Sequence, residues 1–453
     1  MPTSTNTTIA TCVQIRSGDI ARSLVRVALA LALLATSATP ALAGPVRARA
    51  AGASSLLGGV NVTFNAAAPA EGERQIRLAG EMHARVVRVN IAWAQFAPAR
   101  GALAPGPLAA LDAFVEDASR HGVGVVLTVD ATPCWDSSAP RRLLDACVPG
   151  RLAAANAWPP RTPAAYASFV AALARRYGSR LAAIEIWNEP DQVNQKYFAG
   201  PRKPQRYARL LRAAYRAIKR AEPSVPVLGG SIVGDNGSFL RALYRAGIKG
   251  YYDGLSVHFY TLTVAALHEI HQVQLAHHDR TRLWLDEFGW GTCRLGGHAE
   301  QGLPCVTPQV QAQNLRNTVR TLAATPYMAA AIAYTLQDSP REQFGALTQQ
   351  GARKPAFGAL AEAFSEPLGA TEPVRLALTS SDGRILARGS APVGDYMGLE
   401  ASVHGVPRYR SVFTLNSLNR FSLKLPASLG ASGVTVRVFR YWSSPSAAAE
   451  ASS

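Results

Sequence analysis

Two short apolar runs, each broken off by acidic and turn-forming residues, constrain the fold of this 453-residue chain more than any other feature. The first is LAAIEIWNEP, Leu181 to Pro190. It has the length and branched content of a buried strand, and Pro190 forbids the ladder to continue. The second is RLWLDEFGWGT, Arg282 to Thr292, where Leu283, Trp284 and Leu285 form the run, Asp286 and Glu287 end it, and Gly289 and Gly291 turn the chain. Two buried strands with carboxyls at their ends, about a hundred residues apart, fit strands four and seven of an eight-fold β/α barrel.

The rest of the chain supplies matching elements. With 48% hydrophobic residues there is enough apolar material for a barrel and a smaller domain. Strands are expected at Leu56–Phe64, Arg85–Trp93, Val123–Thr128, Val225–Ile232, Asp253–Thr261 and Ala329–Gln337. Helical periodicity falls between them, over Glu71–Ala84, Leu108–His121, Pro163–Tyr177, Pro204–Ala221, Gly237–Gly247, Leu262–His277 and Val310–Ala323, with a closing helix from Lys354 to Phe364. Gly58, Gly59 and Asn61 in strand one predict a close approach at the barrel mouth. From Glu366 to Thr371 the pattern changes to a linker. Short alternating runs separated by turn signals such as Asp382-Gly383 then predict a small antiparallel β domain. The expected division is a leader over 1–43, a lead-in over 44–55, a barrel over 56–365, a linker over 366–372, a β domain over 373–442 and a disordered Ala/Ser-rich tail over 443–453. The β domain is read as a buttress rather than a ligand-binding module, because no row of aromatics stands out.

A carboxylate beside an amide at a strand end suits work on a sugar. The amide holds a hydroxyl while the acid protonates a bridging oxygen, and a second carboxyl is needed to cleave a glycosidic bond. The pair WNEP and DEFGW resembles glycoside hydrolase clan A, the retaining (β/α)8-barrel glycosidases. The surrounding pattern is most similar to family 39, then family 5, over roughly Leu56 to Phe364. Family 5 often carries a His near the end of strand three, and this chain has none there. The resemblance implies Glu189 as acid/base and Glu287 as nucleophile. It implies Arg88 and Tyr260 as contacts of the nucleophile, Asn188 on the 2-hydroxyl and His258 toward the sugar. His258 and Tyr260 stand two apart and so share one strand face. For Arg88 a surface position at a strand entrance is the competing reading, and for His258 a buried structural role. Trp135, after strand three, would be a sugar-stacking platform or a core residue. Trp290 and Tyr334 complete the expected substrate-binding set. Many clan members carry a Trp near strand eight where this chain offers Tyr334 and, nearby, Phe344. A carbohydrate substrate is implied, with no cofactor, metal or nucleic-acid partner. A barrel that binds polysaccharide without cutting it is the reading from the other function class, and exo and endo action both remain open.

Arg16, Arg22 and Arg26 precede an apolar run, Val27 to Leu34, and Ala41-Leu42-Ala43 offers a cleavage site before Gly44, which predicts a cleaved secretory leader rather than an anchor. No other stretch is apolar enough to span a bilayer, so a secreted protein, extracellular or in the cell envelope, is expected. Cys134, Cys147, Cys293 and Cys305 fall as two close pairs in predicted loops, which in an oxidising compartment predicts the disulfides Cys134–Cys147 and Cys293–Cys305. No C-x-x-C spacing supports a zinc site instead. The net charge of +17 is carried almost entirely by arginine. It reads as a compositional habit more than as a docking patch for a polyanion, and the basic face over Pro204–Ala221 as the solvated outside of the barrel.

Overall fold

The computed structural model describes residues 56–453 except 235, 261–262, 300–302, 382, 393–395 and 441–448. The expected leader and lead-in lie outside the described residues. Eight parallel strands close into a barrel in sequence order. They are β1 (Leu57–Val62), β2 (Val86–Ala92), β3 (Gly124–Asp130), β4 (Leu181–Ile186), β5 (Val227–Ile232), β6 (Gly254–His258), β7 (Leu283–Glu287) and β8 (Met328–Ala333). β1 closes the ring on β8, with Val60 opposite Ala333. The main helices are α1 (Pro69–Glu81), α2 (Pro105–Arg120), α3 (Pro163–Tyr177), α4 (Lys203–Ala221), α5 (Ser238–Arg245), α6 (Thr263–Ala276), α7 (Pro308–Ala323) and α8 (Pro355–Ser365). Proline stands in the first turn of α1, α2, α3, α4, α7 and α8, where its missing N–H has no intrahelical partner to lose. Helix starts are therefore written in the sequence more sharply than periodicity alone gives them.

The α/β barrel is as expected, and one local reading needs correction. The close approach at Gly58 and Gly59 is not at the barrel mouth. It lies at the base, where a Cβ on Gly58 would strike the Phe364 ring of α8 and one on Gly59 would strike the Val86 backbone. The cause is packing of the closing helix against the start of β1. Asn61, two residues on, reaches the mouth.

After the barrel come a three-stranded sheet and a four-stranded sheet. The first holds β9 (Arg375–Ser381), β10 (Arg384–Ser390) and β13 (Arg420–Lys424), and the second holds β11 (Tyr396–Val403), β12 (Val406–Thr414), β14 (Val434–Arg440) and β15 (Ala449–Ser452). Their shared core includes Ile385, Met397, Leu399, Phe421 and Val436. They meet the barrel at α7. Asn419 donates to Asn314 at 2.5 Å, Asn317 to the Pro392 carbonyl at 3.1 Å and Arg440 to Thr321 at 3.0 Å. The tail expected to be disordered is not so throughout. Ala449–Ser452 pairs with β14, and Glu450 meets Arg437 at 2.5 Å. The exposed edge of β14 supplies a ladder that composition could not reveal.

Candidate active site

β4 runs inward-facing Glu185 to its end and then turns sharply. Trp187 and Glu189 both have positive φ, 74° and 43°, on either side of Asn188. Such a backbone is strained for these residues and persists only where its surroundings over-determine it. Here Trp187 N–H donates to the Val129 carbonyl at 3.1 Å, and the buried indole Nε1 donates to the Tyr197 carbonyl at 2.8 Å. The turn thereby presents Asn188 and Glu189 together above the barrel.

β7 reaches the same place by another route. Leu285 pairs with Val257, but His258 pairs with Glu287, so the register slips at the strand end. The irregularity lets two consecutive residues, Asp286 and Glu287, both reach the barrel interior, where strict alternation would send one outward.

Arg88, from β2, joins the two strand ends. Its Nη1 donates to Glu287 at 2.7 Å and to Asn61 at 3.0 Å, its Nη2 to Asn188 at 2.9 Å, and its Nε to Glu185 at 2.8 Å. The guanidinium is 3% exposed, so the reading of Arg88 as a surface residue is wrong. Burial pushes Arg88 down, and the charges of Glu185, Asp286 and Glu287 more than reverse this, so it remains a cation. The Tyr260 hydroxyl donates to the other oxygen of Glu287 at 2.5 Å. Burial, then the Glu287 charge, hold the phenol well above its usual range, so it stays a donor.

His258 is fully buried. Its Nδ1 lies 3.0 Å from Glu189 and 3.4 Å from Glu287, and its Nε2 lies 3.4 Å from Asp286. It sits beneath the acid rather than facing the space a sugar would fill. Burial opposes its charge, but the surrounding carboxylates raise it well above the ordinary imidazole value. Burial pushes the Glu189 carboxyl up, and the hydrogen bond and charge of His258 pull it further down, so the net shift is downward. The pair is best read as one proton held in the 3.0 Å contact, biased toward the ring.

One oxygen each from Glu189 and Glu287 and a ring nitrogen of His258 lie within 4.8 Å of one another. Glu185, His258 and Asp286 form a second such group below. Both have spacings that a metal ion could use, but Arg88 already pairs with Glu185, Asp286 and Glu287, and His258 with Glu189. Above the carboxyls lies a small cavity, partly open to solvent, lined by Asn188, Glu189, Tyr197, Tyr260, Glu287, Leu303, Tyr334, Glu342 and Phe344. The Tyr334 hydroxyl donates to Glu342 at 2.5 Å.

Glu189, Glu287, Asn188, Arg88, His258, Tyr260 and Tyr334 therefore come together. Trp135 and Trp290 do not line the cavity. Trp135 packs edge-on against Trp93 and donates to the Ala97 carbonyl at 2.8 Å, with Arg100 over its ring. Trp290 is buried edge-on against Phe288. Both tryptophans serve packing. Four residues of the site went unread in the sequence: Glu185, Tyr197, Leu303 and Glu342. Of these only Glu185 left a signal, a charge inside an apolar strand. Cys134–Cys147 and Cys293–Cys305 are bonded, with Cα separations of 5.7 and 5.1 Å.

The family model described as cellulase (glycosyl hydrolase family 5) matches residues 49–327. No curated protein matches this chain. Among solved structures, a family 39 glycoside hydrolase from the gut symbiont Bacteroides cellulosilyticus WH2 is 18% identical with a TM-score of 0.54, over 81% of this chain and 80% of that one. The family 39 enzyme from Xanthomonas axonopodis pv. citri is 13% identical with a TM-score of 0.52, over 84% and 93%. A monomeric β-xylosidase from Caulobacter crescentus CB15 is also 13% identical, with a TM-score of 0.50 over 84% and 95%. At these identities the likeness shows the barrel fold.

Proposed function

Because the chain belongs to the cellulase family, glycosyl hydrolase family 5, and is thus a glycosyl hydrolase, we propose that it cleaves a β-glycosidic bond by double displacement, with Glu287 as nucleophile and Glu189 as acid/base. The observation that carries this reading is the spacing of the two acids, whose nearest oxygens lie within 4.8 Å. Retaining enzymes hold their carboxyls about 5–5.5 Å apart, whereas inverting enzymes leave about 6.5–9.5 Å for a water.

Glu287 attacks the anomeric carbon as the bond to the leaving oxygen breaks. Arg88 and Tyr260 each engage one of its oxygens and so aim it. The proton shared by Glu189 and His258 passes from Glu189 to the leaving oxygen. In the second step Glu189 takes a proton from water, and that water releases the sugar from Glu287 with its configuration restored. Asn188 spends its side-chain oxygen on Arg88, which leaves its NH2 to donate to a 2-hydroxyl. The substrate is a poly- or oligosaccharide met outside the cytoplasm, a reading supported by the two disulfides.

The test is turnover of a panel of aryl β-glycosides, with the anomer of the first-formed product read by NMR. Retention is expected. Glu287→Gln should abolish turnover, and Glu189→Gln should lower it by about 10²–10⁴-fold on substrates with poor leaving groups. An inverted product, or activity that survives in Glu287→Gln, would overturn the assignment.

A further inference from the structure

Below the two proposed catalytic acids lies a second pair of carboxyls, Glu185 and Asp286, both without solvent exposure. The hydroxyl of Ser256, on β6, stands between them. It lies 2.5 Å from Glu185 Oε1 and also contacts Asp286 Oδ2. A hydroxyl has one hydrogen, so it can donate to one of these oxygens only. If both carboxyls were ionised, the other contact would set lone pairs against lone pairs with no water to intervene. A proton must therefore reside in this layer.

We propose that Glu185 carries that proton and acts as a neutral positioning residue for Arg88. The rest of its surroundings fit one arrangement. Glu185 Oε1–H donates to Ser256, and Ser256 donates to Asp286. Ser231, which contacts Oε1, donates to it. The second oxygen, Oε2, remains an acceptor for Arg88 Nε at 2.8 Å and for Thr128 at 2.5 Å. Each hydroxyl hydrogen then has one acceptor, and no contact is left repulsive. The proton belongs on Glu185 rather than on Asp286, because Asp286 also faces the His258 ring at 3.4 Å. Burial raises Glu185, whereas Arg88 and His258 outweigh burial at Asp286 and lower it.

The placement has an electrostatic consequence. Arg88 and His258 face four carboxyls: Glu185, Glu189, Asp286 and Glu287. Asp130, Tyr166 and Tyr207 lie near enough to interact with Glu185 as well. With one proton shared by Glu189 and His258, an ionised Glu185 would leave two net negative charges buried in this layer. A neutral Glu185 leaves one, at a much smaller desolvation penalty. It also leaves the positive charge of Arg88 to Glu287 and Asp286 alone, while still fixing the guanidinium that orients Asn188 and Asn61.

This inference rests on the glycosidase reading for its kinetic arm alone. The direct arm is infrared difference spectroscopy of the whole protein at neutral pH, parent against Glu185→Gln. The expected result is loss of a protonated-carboxyl band with the carboxylate bands unchanged. Loss of carboxylate intensity instead would overturn the proposal, whatever the enzyme does to sugars. In the kinetic arm, on an aryl β-glycoside, Glu185→Gln should keep the pH profile of kcat/KM in place. Glu185→Ala, which frees Arg88, should lower kcat by about 10²-fold through misplacement of Glu287. A Glu185→Gln profile displaced by a pH unit or more, or a Glu185→Gln chain that does not fold, would count against a neutral Glu185. An amide can donate to Ser256 and accept from Arg88 as the acid does.

Discussion

The floor of the cavity and its walls are built by different means. The floor is made of side chains on strand ends: Arg88 on β2, Glu185 and Asn188 at β4, His258 and Tyr260 at β6, and Asp286 and Glu287 on β7. Each is held by at least one other member, with Arg88 bonded to four of the surrounding side chains. The walls come from loops: Tyr197 after β4, Leu303 after β7, and Tyr334, Glu342 and Phe344 after β8. They meet through ring edges, with Tyr260, Tyr334 and Phe344 at 5.4–6.1 Å between centroids, and Leu303 lies in the segment closed by Cys293–Cys305. A network of buried charge tolerates no missing member, whereas a loop wall can shift. The floor should therefore govern chemistry and stability together, and the walls should govern which sugar is held.

The largest effect is expected at the centre of the floor. Arg88→Met removes the cation and leaves Glu287 and Asp286 buried without it. Removing one partner of a buried ion pair costs about 3–5 kcal/mol. Urea unfolding should show a loss of that size, with turnover gone even in the folded fraction. A stable, active Arg88→Met would show that the floor is not the interdependent unit its hydrogen bonds describe.

A wall substitution of comparable reach is the Cys293→Ser, Cys305→Ser pair, which opens a loop of 12 residues in sequence separation. In the chain-entropy picture such a bridge contributes about 3 kcal/mol. Because the loop carries Leu303 to the cavity and none of the floor, KM should rise while kcat holds within about threefold on a bound substrate. A fall in kcat with KM unchanged would mean that the wall reaches the chemistry after all.

The same division explains what could be read in advance. The floor was legible because strand alternation and strand ends are local features: WNEP, DEFGW and the His258–Tyr260 spacing each name a face and a terminus. The barrel followed from them. Glu185 was passed over although it interrupts LAAIEI. An apolar run was read as burial, and the charge inside it was not followed to the partner that burial demands. His258 was expected toward the sugar, but a two-residue spacing fixes its face and not its depth. The walls were largely illegible. Trp135 and Trp290 carry the right chemistry at the right point in the chain, but where they turn depends on loop paths. Trp135 is turned by contacts with Trp93 and Ala97 far away in sequence, and Trp290 is buried edge-on against its near neighbour Phe288. Tyr197 and Glu342 lie in segments without periodicity, where no pattern marks an inward face. The tail strand Ala449–Ser452 belongs to the same class, since its order comes from β14.

The smallest effect expected would sharpen the account of the floor by asking where its exchangeable proton rests. His258 is raised well above the ordinary imidazole value and Glu189 is lowered by it, so the pair keeps one proton at pH values where a free imidazole would have lost it. Activity that needs this proton is present below the apparent pKa of the pair and is lost as pH rises through it. The alkaline limb of kcat/KM should therefore stand above about pH 6.5. In His258→Asn the proton must be held by the Glu189 carboxyl alone, which burial raises but no imidazole supports. The alkaline limb should then move to lower pH. Turnover on the acid side of the profile should change much less. A limb that stays in place would assign the proton to Glu189 outright and reduce His258 to a spacer between Glu189 and Asp286. A limb that moves would place part of the acid function on a ring that no substrate touches.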